Sequence, residues 1–198
     1  MTIVERLEAR VKDDAQLIAA TLNGDSQSFG ELVRKYQDRV FHVIRHVVGD
    51  RQESEDLVQD TFVQAFVKLD SFRGGSAFYT WLYRIAFNLA ASRQRRRRTP
   101  VSVEDQREQT GADPVDRAEA PEERVLREER VGQVQAALAT LPEEFRTILV
   151  LREMEGCDYD SIAEILDLLP GTVRSRLHRA RAELRERLKS ALQESSVE

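Results

Sequence analysis

Residues 159–187, YDSIAEILDLLPGTVRSRLHRARAELRER, decide how this chain folds and what it meets. Wound at helical pitch, the later part sets Val173, Leu177, Ala180, Leu184 and Leu188 on one stripe and Arg174, Ser175, His178 and Arg179 on the opposite face. In the earlier part Ile162, Ala163 and Leu166 form a short apolar face that can pack against that stripe. Two such helices joined by a tight turn make a helix-turn-helix, in which arginines fork onto guanine edges while neighbouring cations take phosphates. Seven Arg or Lys against two acids between Thr172 and Lys189 point to duplex DNA, because that density of like charge is costly without a polyanion beside it.

Working outward, Pro142 starts a helix through Phe145, Ile148 and Leu149 that stops at Gly156. A further helix from near Glu122 puts Val131, Val134, Leu138 and Leu141 on one face. Between Thr99 and Arg124 eight acids stand against three arginines, periodicity vanishes, and Gly111, Pro114 and Pro121 accumulate, the composition of a solvated, flexible tether. Segments 15–22, 27–48, 51–69 and 77–95 each show helical apolar spacing, broken by Asn23-Gly24-Asp25, Gly49-Asp50 and Gly74-Gly75. In the second of these, Phe29, Leu32, Val33, Tyr36, Val40, Val43, Ile44 and Val47 share a stripe, with Asp25 or Ser26 to cap its start. Strand-like alternation is scarce. The expected fold is all-α: two small helical domains, residues 1–98 and 122–198, joined by a flexible acidic linker at 99–121.

Several function classes drop out on composition. A formal net charge of −5 does not argue against nucleic acid here, because the acids of the linker and the bases of the last helix lie on separate segments. Cys157 is the only cysteine, so neither an internal disulfide nor a cysteine-built zinc site is available, which fits a reducing cytosol. No window approaches the eighteen or so apolar residues of a membrane span, so no membrane insertion is expected, and the charged N-terminus lacks the apolar core of an export signal. His42 and His46 have the spacing of paired metal ligands and Asp56 and Asp60 could share a cation, but neither set is completed. Arg39 and Arg45 would repel a divalent ion. There is no Gly-rich phosphate loop and no convincing nucleophile arrangement, so no catalytic residue, metal or cofactor is expected.

Two further surfaces stand out. Five of the thirteen aromatics, Phe78, Tyr79, Trp81, Tyr83 and Phe87, fall within ten residues. With Phe78, Leu82, Ile85 and Leu89 facing a core, Thr80, Tyr83, Arg84 and Phe87 project outward as an aromatic and cationic surface. Unpaired bases can stack on such rings, at about 1–3 kcal/mol each. In the preceding helix a buried stripe of Val58, Phe62, Ala65 and Leu69 leaves Asp56 and Asp60 outward, Gln59 on their flank, and Val63 and Val67 beside them. Acids next to exposed valines suit a protein interface.

Three stretches in order, DLVQDTFVQAF (56–66), SFRGGSAFYTWLYRIAFN (71–88) and GTVRSRLHRARAELR (171–185), resemble a bacterial extracytoplasmic-function (ECF) sigma factor, most like the envelope-stress type. The likeness spans Asp14 to Leu188. It implies two helical domains, region two and region four. By this resemblance Asp56, Gln59 and Asp60, with Val63 on their face, would grip the clamp of the polymerase β′ subunit, while region four would meet the β flap. Phe72, Arg73 and Ser76, with Tyr79, Tyr83 and Asn88 on the following helix, would capture an extruded base of the minus-ten element, and Thr80 and Arg84 flank them. Arg174, Ser175, His178 and Arg179 would read the minus-thirty-five major groove, with Thr172 at the start of that helix and Arg176 and Arg181 placed for phosphates. The linker would run through the RNA exit path. Relatives commonly carry proline two places before the glycine, where this chain has Leu169 ahead of Pro170-Gly171, so a one-residue adjustment at the start of the reading helix is expected. His178 stands where some relatives have an aromatic ring.

The implied protein is a cytoplasmic, non-enzymatic initiation subunit that binds core RNA polymerase and promoter DNA, double- and single-stranded. An anti-sigma factor is among its expected partners, as relatives are often held that way. The residues alone leave a second reading, a helix-turn-helix regulator that binds DNA without polymerase.

Overall fold

The computed structural model describes residues 13–98 and 121–194, with no strand among the described residues. The first unit holds α1 (Asp14–Leu22), α2 (Ser26–Val48), α3 (Arg51–Val67) and α4 (Phe78–Arg98), with a 3-10 turn at Leu69–Ser71. The second holds α5 (Pro121–Thr140), α6 (Glu143–Leu149) running into a π turn at Val150–Met154, α7 (Tyr159–Leu166) and α8 (Pro170–Glu194). Of the expected linker, residues 99–120 lie outside the described residues, and Pro121 is the first residue of α5.

Aspartates start three of these helices. Asp25 accepts from the Gln27 N–H (3.0 Å) and the Ser28 hydroxyl (2.7 Å), Asp50 from the Glu53 N–H (2.6 Å), and Asp158 from the Ser161 N–H (2.7 Å). Each satisfies a backbone donor that has no partner inside its helix, worth about 1 kcal/mol. Gly49 closes α2 in the left-handed region (φ 85°), where a side chain would be strained.

Packing centres on α2. Phe29, Leu32, Tyr36, Val40, Val43, Ile44 and Val47 are buried as the stripe predicts, Val33 half so, and α1, α3 and α4 pack on them. In α3 the buried face is rotated from the expected one. Ser54, Leu57, Thr61, Phe62 and Ala65 lie inside and Val58 only half so, because Ser54 and Thr61 return their hydroxyls to the carbonyls of Asp50 (2.5 Å) and Leu57 (2.6 Å) and can be buried at little cost. In α5 Val131 and Val134 are exposed, contrary to the expected apolar face. Among the residues from 131 onward, whose burial is described, only Ala137 and Leu138, with Leu141 just past the helix end, reach the core.

α6 and α7 pack on α8 within the second unit, and the two units also pack on each other, α4 against α7 and α2 against α6. Their buried apolar residues form one continuous cluster.

Candidate nucleic-acid interface

The tight turn of the helix-turn-helix rests on Asp167, whose left-handed backbone (φ 54°) an aspartate tolerates better than most residues. The Leu168 N–H donates back to the Ala163 carbonyl (2.9 Å). The Leu169 carbonyl then accepts from Thr172 (2.8 Å) and Val173 (3.1 Å), so α8 begins at Pro170, whose missing N–H has no role in a first turn. Val173, Leu177 and Ala180 are buried against α6 and α7, with Leu184 and Leu188 half-buried, and Ile165 joins Ile162 and Ala163 beneath them.

Arg174, Ser175, His178 and Arg179 are all exposed on the opposite face, and Thr172 is half-buried at its edge. Among the described residues Arg174 and Arg179 have no ion-pair partner. Arg176 leans back onto Glu144 of α6 (3.1 Å), and Arg181 gives two donors to Glu153 (2.9 and 2.6 Å). The two cations expected at phosphates are thus engaged within their own unit.

The entry to α4 turns at Gly74 (φ 69°), and Phe72, Phe78 and Trp81 cluster there with ring centroids 5.3–5.7 Å apart. Arg73, Arg84 and Asn88 are exposed, while Phe72, Ser76 and Tyr79 are half-buried. Two expectations of exposure are corrected: Tyr83 and Thr80 each keep 1% of their surface. The reason is tertiary. The second unit lies over this face of α4, and the Tyr83 hydroxyl donates to Glu155 (2.6 Å), so that burial first, and the bond to Glu155 next, push the phenol above its ordinary pKa. Ile85 and Leu89, assigned to the core, are only half-buried.

On α3, Asp56, Gln59 and Asp60 are exposed, and so are Val63 (55%), Phe66 (49%) and Val67 (67%). Asp60 pairs with Arg93 of α4. The apolar side chains edge a groove of about 690 Å³ between α2 and α3, floored by Phe29, Val33, Phe41 and Phe62 and rimmed by Asp38 and Glu55. Sequence reasoning overlooked Phe66, although it follows Val63 by three residues and Gln59 by seven and so shares their face. It also overlooked Glu143, Glu155 and Glu164, which reach from the second unit to the first. No local pattern marks them.

The family model for Sigma-70 region 2 matches residues 32–99, and that for Sigma-70, region 4 matches 132–184. The chain is 41% identical over 189 residues to the RNA polymerase sigma-H factor of Pseudomonas aeruginosa, covering 93% of this chain and 98% of that one. It is 40% identical over 174 residues to the ECF RNA polymerase sigma-E factor of Escherichia coli K12, covering 85% and 90%. Among solved structures, the sigma factor RpoE of Bartonella quintana, co-crystallised with the anti-sigma factor NepR, is similar at a TM-score of 0.65 and 26% identity over 82% of this chain and 98% of that one. CnrH in complex with the cytosolic domain of CnrY is similar at 0.61 and 28%, over 90% and 96%.

Proposed function

The chain belongs to the sigma-70 family, in its extracytoplasmic-function branch, and from that premise we propose how its surfaces share the work of starting transcription. It is an alternative sigma factor, of a family that binds core RNA polymerase and promoter DNA. In our reading residues 1–98 bind the polymerase and handle the minus-ten element, 99–121 tether, and 122–198 read the minus-thirty-five element. Asp56, Gln59, Asp60 and Val63 meet the β′ clamp, beside a groove whose exposed apolar rim gains from a protein partner. The second unit meets the β flap.

Arg73, Arg84 and Asn88, with Phe72, Ser76, Tyr79, Thr80 and Tyr83, receive the unpaired minus-ten strand, on which aromatic stacking is favourable for any base. The observation that carries the duplex assignment is the row of exposed polar groups on α8, Arg174, Ser175, His178 and Arg179, opposite the buried Val173, Leu177 and Ala180. Arg176, Arg181 and Thr172 sit beside it. Recruitment to phosphates requires Arg176 and Arg181 to leave Glu144 and Glu153. The chain performs no bond chemistry of its own. It acts in the cytoplasm, where polymerase and chromosome meet, and an anti-sigma protein is a further partner, as NepR is for the Bartonella quintana factor.

The test is reconstitution. Added to core polymerase, the chain is expected to co-elute with it and to direct transcription from a promoter set that core alone ignores. Tight operator binding without polymerase, combined with no change in start-site choice, would discard this reading.

A further inference from the structure

Arg181 of α8 is tied to the elements that precede the reading helix. Its Nε and one Nη donate to the same oxygen of Glu153 in the π turn (2.9 and 2.6 Å). The Tyr159 side chain, at the start of α7, bonds the same guanidinium. The pKa of Arg181 is held above its ordinary value by the Glu153 hydrogen bond first, with burial opposing and the Glu153 charge and Tyr159 adding to it. Tyr159 is fixed in turn: the Arg152 guanidinium lies over its ring, 5.1 Å from the centroid, and donates to the Cys157 carbonyl (2.8 Å) across the Gly156 turn. Arg152, Tyr159, Arg181 and Glu153 thus close a ring through the end of α6, the start of α7 and the middle of α8. At a hundred degrees per residue, positions 174, 178 and 181 fall within about sixty degrees of one another, so Arg181 stands a turn beyond His178 on the row that carries Arg174.

We propose that Arg181 is a positioning residue for the reading helix: held by Glu153 and Tyr159, it sets the rotation and axial register of α8 over α7, and so where Arg174, Ser175, His178 and Arg179 meet the major groove, without contacting a phosphate itself. The buried Val173, Leu177 and Ala180 hold α8 down, but apolar contact is non-directional and opposes small slides and rotations weakly. A forked hydrogen bond is directional and opposes both. Reading base edges needs side chains placed to within about half an ångström, so a small rotation matters to the outcome. Arg176 offers the contrast. It holds Glu144 through one nitrogen at 3.1 Å, whereas Arg181 would give up two bonds to Glu153 and one to Tyr159. Of the two cations beside the reading row, Arg176 is then the one left for phosphates. Arg181 and Glu153 are about half exposed (46% and 50%), and such a pair adds little to stability, so its effect falls on geometry and not on folding.

The inference rests on the duplex-reading role given to α8, and the two fail by different results. Holoenzyme is reconstituted with wild type, E153A, R181A, the double variant, R181K and Y159F. Binding is measured to a promoter the holoenzyme uses, to single-base variants of its minus-thirty-five element, and across a range of salt concentrations. E153A and R181A should each lower discrimination between bases by about five-fold, the low end of what one forked base contact supplies. The double variant should be no worse than either single one, with salt slope and melting temperature as in wild type. R181K, which keeps the charge and loses the fork, should behave as R181A does. E153A and Y159F, which leave Arg181 in place and remove its partners, carry the test should R181A be poorly folded by circular dichroism. A phosphate contact gives the opposite pattern: even loss across the panel for R181A, a salt slope lower by about one, wild-type discrimination for E153A and retained binding for R181K. Each of these overturns the positioning role, as do additive losses in the double variant. The underlying reading fails separately, if holoenzymes carrying Arg174→Ala and Arg179→Ala bind every member of the panel as wild type does.

Discussion

Arg176 and Arg179 stand three apart on α8, yet their surroundings assign them different work. Arg179 is exposed with no ion-pair partner among the described residues, so its fork is free for a base edge; Arg176 is half-buried on Glu144. Arg179→Ala is therefore expected to lose discrimination at one minus-thirty-five base pair by about 1–3 kcal/mol, leaving the melting temperature near wild type. Transcription from a panel of single-base promoter variants reads the first, and thermal unfolding the second. Arg176→Ala should instead weaken binding evenly across the panel and lower the melting temperature, because Glu144 loses its ion-pair partner. Uniform loss for Arg179→Ala would reverse the two roles. Cys157 does no such work: its thiol is pushed up to about 11, by burial first and the charge of Glu155 next, so it is protonated and poorly nucleophilic at neutral pH.

At the scale of elements, α3 tests the polymerase face. Asp60→Arg and Val63→Asp both alter its outward side without touching Leu57, Thr61 or Ala65, which hold the helix in the core. Each should weaken co-elution with core polymerase while minus-thirty-five preference stays as it was; unchanged holoenzyme formation in both would detach this face from the polymerase. Asp60→Arg also sets like charge against Arg93, so Val63→Asp is the cleaner variant. What the sequence disclosed about such elements follows from where each one's packing originates. α2 and α8 carry strong one-sided stripes, and their buried residues were legible almost to the residue. α3 was not, because buried Ser54 and Thr61 look polar in a string of letters and become core only through hydrogen bonds to their own helix. α4 was legible as a helix but not in its exposure: the side that takes Tyr83 and Thr80 is polar enough to read as surface, and only the arrival of α7 and Glu155 from more than seventy residues away buries it. Caps behaved in the opposite way. Asp25, one of two residues expected at the start of α2, does bond the Gln27 N–H, since capping depends on three or four neighbouring residues and nothing distant.

For the whole molecule, the join between the units carries its own titration. His46 on α2 is half-buried, and among the described residues its Nε2 has no hydrogen-bond partner. Burial holds its pKa below 6.5, and the positive charges of His42, Arg146 and Arg45 act the same way, with Glu155 alone opposing them. Arg146 and Glu155 come from the second unit, so their charges act on this imidazole only while the two units are docked. The folded form thus binds fewer protons than the unfolded chain, in which the imidazole returns to its ordinary pKa of about 6.5. Stability is at its plateau above that value and falls as pH drops through it, with a slope of at most about 1.4 kcal/mol per pH unit for one proton, until the docked imidazole itself titrates. Carboxylates titrate lower, which leaves roughly pH 5.5–7 as the window in which histidine dominates. Denaturant unfolding across that window should therefore lose stability on the acid side in wild type, and His46→Gln should flatten the slope because glutamine takes up no proton. A slope that survives His46→Gln would remove this imidazole, and with it the domain join, as the source of the acid sensitivity.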